Sequence, residues 1–186
     1  MDEFLIALNT AIKILFSLVV LFLVIKFWER RFSLFFGGKD SLKTIQDHEL
    51  HSCFLTALCI VVFYLTGVTL SGEIRALPME KIALRRVFYF TGIVNFTAFF
   101  LSVYLLHFIR GCNFSSVAKA VLCLMFIEVT IFYIQLVTRG YFEFSGFSSK
   151  VYQIVIATCN ITTLIVLVGF ATRHTLHRKD ESCKIE

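Results

Sequence analysis

The chain predicts an all-α fold, a polytopic membrane helix bundle of five transmembrane helices with short connections. Two observations predict it. Of 186 residues, 58% are hydrophobic and 22 are Phe, more apolar surface than a soluble domain of this size hides. The charges also fall into short clusters between apolar runs of about 20 residues, the length a helix needs to cross hydrocarbon. The net charge of +5 carries no nucleic-acid signal, because the basic residues flank the runs and have no aromatic interleaving. The expected surroundings are a lipid bilayer, with a membrane-protein partner or a second copy of the chain as further contacts and no nucleic acid.

The first run, residues 4–27, follows the acidic Asp2 and Glu3 and shows no small-residue cleavage pattern, so it reads as a retained span, not a secretory signal. Asn9, Lys13 and Ser17 recur every four residues and form one polar stripe. Lys26, Trp28, Arg30 and Arg31 suit the headgroup layer. Gly37 and Gly38 break the chain, and Asp40 or Ser41 offers a cap for a polar turn leading into the second span, residues 52–71.

Residues 73–86 hold the single proline, Pro78, and a mixed pattern that fits a surface connector or a short interfacial helix. In the third span, residues 87–109, Thr91, Asn95, Ala98 and Ser102 share a side and allow close helix approach. The fourth, residues 117–138, places Glu128 and Gln135 on a common face. The fifth, residues 151–172, contains Asn160 and is followed by a short basic tail, residues 173–186, expected to be cytoplasmic. The whole chain reads as a single integral membrane domain.

With five spans, eleven basic residues fall on the side of the first connection and the tail, and six on the other. The positive-inside rule then places the amino terminus outside and the carboxyl terminus in the cytoplasm. On this topology Cys53, Cys112 and Cys183 lie at cytoplasmic span ends and read as free surface thiols, with no structural disulfide.

Counting 1.5 Å per residue from the outer span ends puts Lys13, Asn95, Glu128 and Asn160 about 12 to 15 Å deep, with Tyr64 at about 9 or 10 Å. A lone charge at that depth costs about 2.5 to 3.5 kcal/mol on insertion scales. Two readings follow for this polar layer. Lys13 and Glu128 form a buried pair, with the two amides as interhelical glue; or Glu128 exchanges a proton or binds a cation, with Lys13 setting its charge state. A separate cluster, His48, His51, His107, His174 and His177, gathers at cytoplasmic span ends. Imidazoles at three-residue spacing could ligate haem or a transition metal, although no established ligand spacing is present and interface-tolerant histidines account for them as well.

No glycine-rich phosphate loop, nucleophile elbow or carboxylate pair appears, so no catalytic residue is nominated. Three functions remain: an accessory or regulatory membrane subunit without enzymatic activity, a small ion- or proton-coupled transport component centred on Glu128 with Lys13, and a haem- or metal-binding membrane protein using the histidine edge.

Overall fold

In the computed structural model the described residues are 2–26, 42, 44–142, 144 and 149–182, with side chains described for 7, 8, 10–25, 42, 44–142, 144 and 151–173. They form an all-α membrane bundle. Its helices are α1 (Asp2–Lys26), α2 (Ile45–Ala76), α3 (Lys81–Arg110), α4 (Ser116–Gln135) and α5 (Ser149–Ser182); a π-helical turn, Leu136–Tyr141, continues α4. Four of them are long and apolar enough to cross a membrane, and α1 adds the shorter apolar stretch Thr10–Ile25.

The boundaries follow from local chemistry. Thr44 starts α2 through a capping box: its Oγ1 accepts from the Asp47 N–H at 3.1 Å, and Asp47 Oδ2 accepts from the Thr44 N–H at 3.1 Å. The cap expected at Asp40 or Ser41 is therefore corrected to Thr44; those two residues lie outside the described set. Residues 73–86 are no separate interfacial helix, because α2 runs to Ala76 and α3 begins at Lys81, leaving only the segment with Pro78 between them. Pro78 has no N–H to offer a helix, and that lack sets the break. Gly111 ends α3 in the left-handed region, φ 67°, where glycine carries no Cβ penalty. Ser115 caps α4 by accepting from the Ala118 N–H at 3.1 Å.

Each helix packs on its chain neighbours, and α5 closes against α1, so the five make a ring. Packing along that ring is uneven. On α2, ten of the eleven residues from Leu50 to Ile60 are buried, whereas beyond Ile60 only Ile74 is. Phe16 and Leu23 of α1, Phe99 and Val103 of α3, Val121 of α4 and Leu167 of α5 join that half in one core. Large apolar residues such as Ile14, Leu21, Leu101, Phe108, Phe126 and Ile165 face outward, where hydrocarbon would cover them.

At the packed end, histidines and serines bind the first turns of α2 and α4 to the last turn of α3. His107 stacks on Phe114 with centroids 4.2 Å apart, and its Nδ1 donates to the Val103 carbonyl at 2.8 Å. Its Nε2 lies 2.9 Å from Ser52 Oγ, which also accepts from the Ser115 N–H at 2.9 Å. The thiols expected at the surface are not there: Cys53 is fully buried and Cys112 nearly so. Burial pushes the Cys112 thiol up from its ordinary value. Cys183 lies outside the described residues.

Candidate functional site

In the loosely packed half the ring encloses a cavity of about 570 Å³, within the roughly 300 to 1,000 Å³ of small-molecule sites. Every helix contributes to its wall. From α2 come Ile60, Phe63, Tyr64, Gly67, Val68, Ser71, Gly72 and Arg75, a continuous three- and four-residue stripe about 22 Å long. Small residues on this stripe leave the space, and the cavity reaches the surface where Gly72, Arg75 and Gln153 are exposed. Phe88, Phe96, Phe99 and Phe132 supply aromatic walls from α3 and α4.

All five residues of the expected polar layer line this one cavity: Lys13, Tyr64, Asn95, Glu128 and Asn160. Each is held differently. Asn95 Nδ2 donates to the Phe63 carbonyl on α2 at 3.1 Å, and a Cβ at Gly67 would sit 3.0 Å from that nitrogen, so glycine there admits the amide. Replacing Asn95 by leucine is expected to lower stability by about 0.6 to 1.7 kcal/mol, the range for one interhelical hydrogen bond, read as a fall in melting temperature in detergent. Asn160 is 5% exposed and donates to the Ile156 carbonyl of its own helix at 3.0 Å. Tyr64 meets Phe16 edge-on, centroids 5.4 Å apart, which ties α1 to α2 beside the cavity.

Lys13 and Glu128 face the same space without meeting. Glu128 is 3% exposed and its Oε1 has no hydrogen-bond partner; among the described residues no ion pair joins it to Lys13, which is half-buried on α1. Both side chains stand in the wall of one cavity. Asn9, the first member of the Lys13 stripe, has its side chain outside the described residues. Gln135, on the Glu128 face of α4, is fully buried with both amide atoms unpartnered, one residue before the π-helical turn. That turn is held to α3 by Arg86, whose Nε donates to the Gly140 carbonyl at 2.6 Å and whose guanidinium lies 4.7 Å from the Tyr141 ring centroid.

His48, His51 and His107 do not line this cavity. His48 Nδ1 accepts from the Asn113 N–H at 3.3 Å, His51 Nδ1 donates to the Asp47 carbonyl at 2.7 Å, and both ring nitrogens of His107 are engaged, with Val103 and Ser52. Among the described residues no three His, Cys, Asp or Glu side chains gather as a metal site; the side chains of His174 and His177 lie outside them. These bonds give His48, His51 and His107 a role at the packed end of the bundle.

Several lining residues escape a reading by polarity alone: Thr10, Arg75, Tyr152 and Gln153. The small residues Gly67, Ser71 and Gly72 on one α2 face were the available signal, since such a stripe opens space beside a helix. Arg75 stands at the rim with its guanidinium 5.3 Å from the Phe88 ring centroid. Compared with protein-family models, curated proteins and solved structures, the chain matches none.

Proposed function

We propose that this protein is a small ion- or proton-coupled transport component whose exchanging group is Glu128. One observation carries the reading: a carboxylate midway along the membrane-length helix α4 borders a cavity contacted by all five helices, and among the described residues no hydrogen bond or ion pair holds it. A carboxylate kept only as structural glue would be expected to be paired, because an unpaired buried acceptor costs free energy without fixing helix register. A group that picks up and releases a proton or cation needs the reverse, a free oxygen facing space that water or a ligand enters. Lys13 stands in the wall of the same cavity as a second ionisable side chain.

The basic-residue count, eleven against six, supports an outside amino terminus, and on that orientation the cavity mouth at Arg75 faces outward and the packed end faces the cytoplasm. The accessory-subunit reading accounts for the interhelical bond of Asn95 but leaves the open volume without a purpose.

Glu128→Gln separates the two. In proteoliposomes with an imposed pH gradient, the variant is expected to lose the gradient collapse that the natural protein catalyses, while its melting temperature stays level or rises, because a buried unpaired charge has been removed. Gradient collapse undiminished in Glu128→Gln would overturn the proposal.

A further inference from the structure

The chemistry of the cavity narrows the class of ligand. Its lining runs about 22 Å along the α2 stripe from Ile60 to Arg75, so a ligand that fills this slot is extended. The slot is mostly apolar, with charge at two levels. Arg75 stands at the mouth and Glu128 lies deeper, in a wall that also holds Phe96, Phe99 and Met125.

An amphiphile entering tail-first would leave its hydrocarbon end against Glu128 and Lys13, desolvating both charges for nothing in return. Entry head-first with a hydrogen-bond donor meets the Glu128 carboxylate in the cavity wall, which no described side chain partners, and gives it a charge-assisted bond. Aromatic rings around that level favour a cation over an anion, since the ring faces carry negative potential. We propose that the cavity binds a linear hydrophobic ammonium ion, its charged head at Glu128 and its apolar body along the aromatic wall, and exchanges it for a proton on Glu128. This rests on the transport reading above and adds the substrate class.

The exchange balances without any change in the ligand's covalent bonds. The protonated Glu128 carboxyl gives its proton to water in the cavity, and the resulting carboxylate accepts an N–H hydrogen bond from the incoming ammonium. Charge in the cavity is unchanged when one cation enters as one proton leaves.

The charged and titratable groups facing Glu128 set the terms. On α1 stands Lys13; on α2, Tyr64 and Arg75; on α5, Tyr152, with Cys159 within electrostatic reach; α3 lines the cavity with no titratable side chain. Arg75 stands at the exposed mouth, about 16 Å along α2 from Tyr64, and its charge reaches Tyr152, which also feels Glu128. Arg75 competes with the ligand at the mouth, and inside the cavity the competing cation among the described residues is Lys13. Its flexible arm is half-buried, and the incoming ammonium must tolerate it.

The test uses three probes of one shape and different charge, 4-phenylbutylammonium, 4-phenylbutanol and 4-phenylbutyrate, titrated against the full chain in lipid nanodiscs, with empty nanodiscs subtracted. The ammonium is expected to bind most tightly and to release protons into weakly buffered solution. Glu128→Gln should weaken its binding by about tenfold or more and abolish proton release. Glu128→Asp, which keeps the carboxylate, should retain both, and Lys13→Met should tighten binding. Each variant is checked by size-exclusion profile, so that loss of fold is told apart from loss of site.

Alcohol or carboxylate binding as tightly as the ammonium, or ammonium binding unaltered in Glu128→Gln, would overturn the ligand class. If either occurs while Glu128→Gln still loses gradient collapse, the transport reading stands and the ammonium assignment alone falls. If collapse also survives the substitution, both fall.

Discussion

Gly92→Leu is expected to cost on the order of 3 kcal/mol or more and to remove most folded protein from a detergent extract. A Cβ at this position would lie 2.3 Å from Phe132 Cε1 and 2.4 Å from its Cδ1. The ring has little freedom to yield. It sits against Phe96 with centroids 5.3 Å apart, Tyr152 at 5.5 Å, Tyr89 at 6.2 Å and Phe88 at 6.3 Å. Leucine at 92 therefore pushes α3 from α4 at the level where both line the cavity. Phe132→Ala in the same chain removes the obstruction and should restore a monodisperse size-exclusion peak. An undisturbed peak for Gly92→Leu alone would mean that α3 and α4 do not approach through this glycine.

Ser52→Ala is expected to be the next most damaging change, at roughly 2 to 6 kcal/mol. Alanine removes only the hydroxyl and strips partners from two buried groups at once, His107 Nε2 and the Ser115 N–H. Thr56→Val is the control. Thr56 is equally buried, yet its hydroxyl only donates to the Ser52 carbonyl of its own helix at 2.8 Å, so its loss leaves no other helix with an unmet bond. Thermal unfolding should separate the two clearly; equal shifts would show that the link from α2 to α3 and α4 contributes nothing.

The apolar runs and their order could be read directly, because an uncharged block of about 20 residues matches the bilayer and exceeds what a small soluble core buries. Counting residues along each run also groups Lys13, Tyr64, Asn95, Glu128 and Asn160, which line one cavity. The direction of side chains around each helix could not be read. A helix apolar on nearly every side gives little periodic signal, so Phe96 and Phe132 on the cavity look like Phe108 and Phe126 on the outside. The same blindness leaves open whether Lys13 and Glu128 pair; among the described residues no ion pair joins them, although both line the cavity. Local backbone chemistry also hid detail: Thr44 acts as the cap through a side chain three residues on, and the π-helical turn at Leu136–Tyr141 depends on Arg86, 54 positions away from Gly140.

The fifth helix runs 34 residues, about 51 Å against a hydrocarbon thickness near 30 Å. Tyr152, Gln153, Ile156, Ala157 and Asn160 form cavity wall toward one end, and at the other the backbone stays helical through Ser182, beyond the apolar stretch that closes at Arg173. The molecule thus owns a lever. A pull or twist applied to the overhang is carried along a single rod to the chamber, with no joint between handle and load.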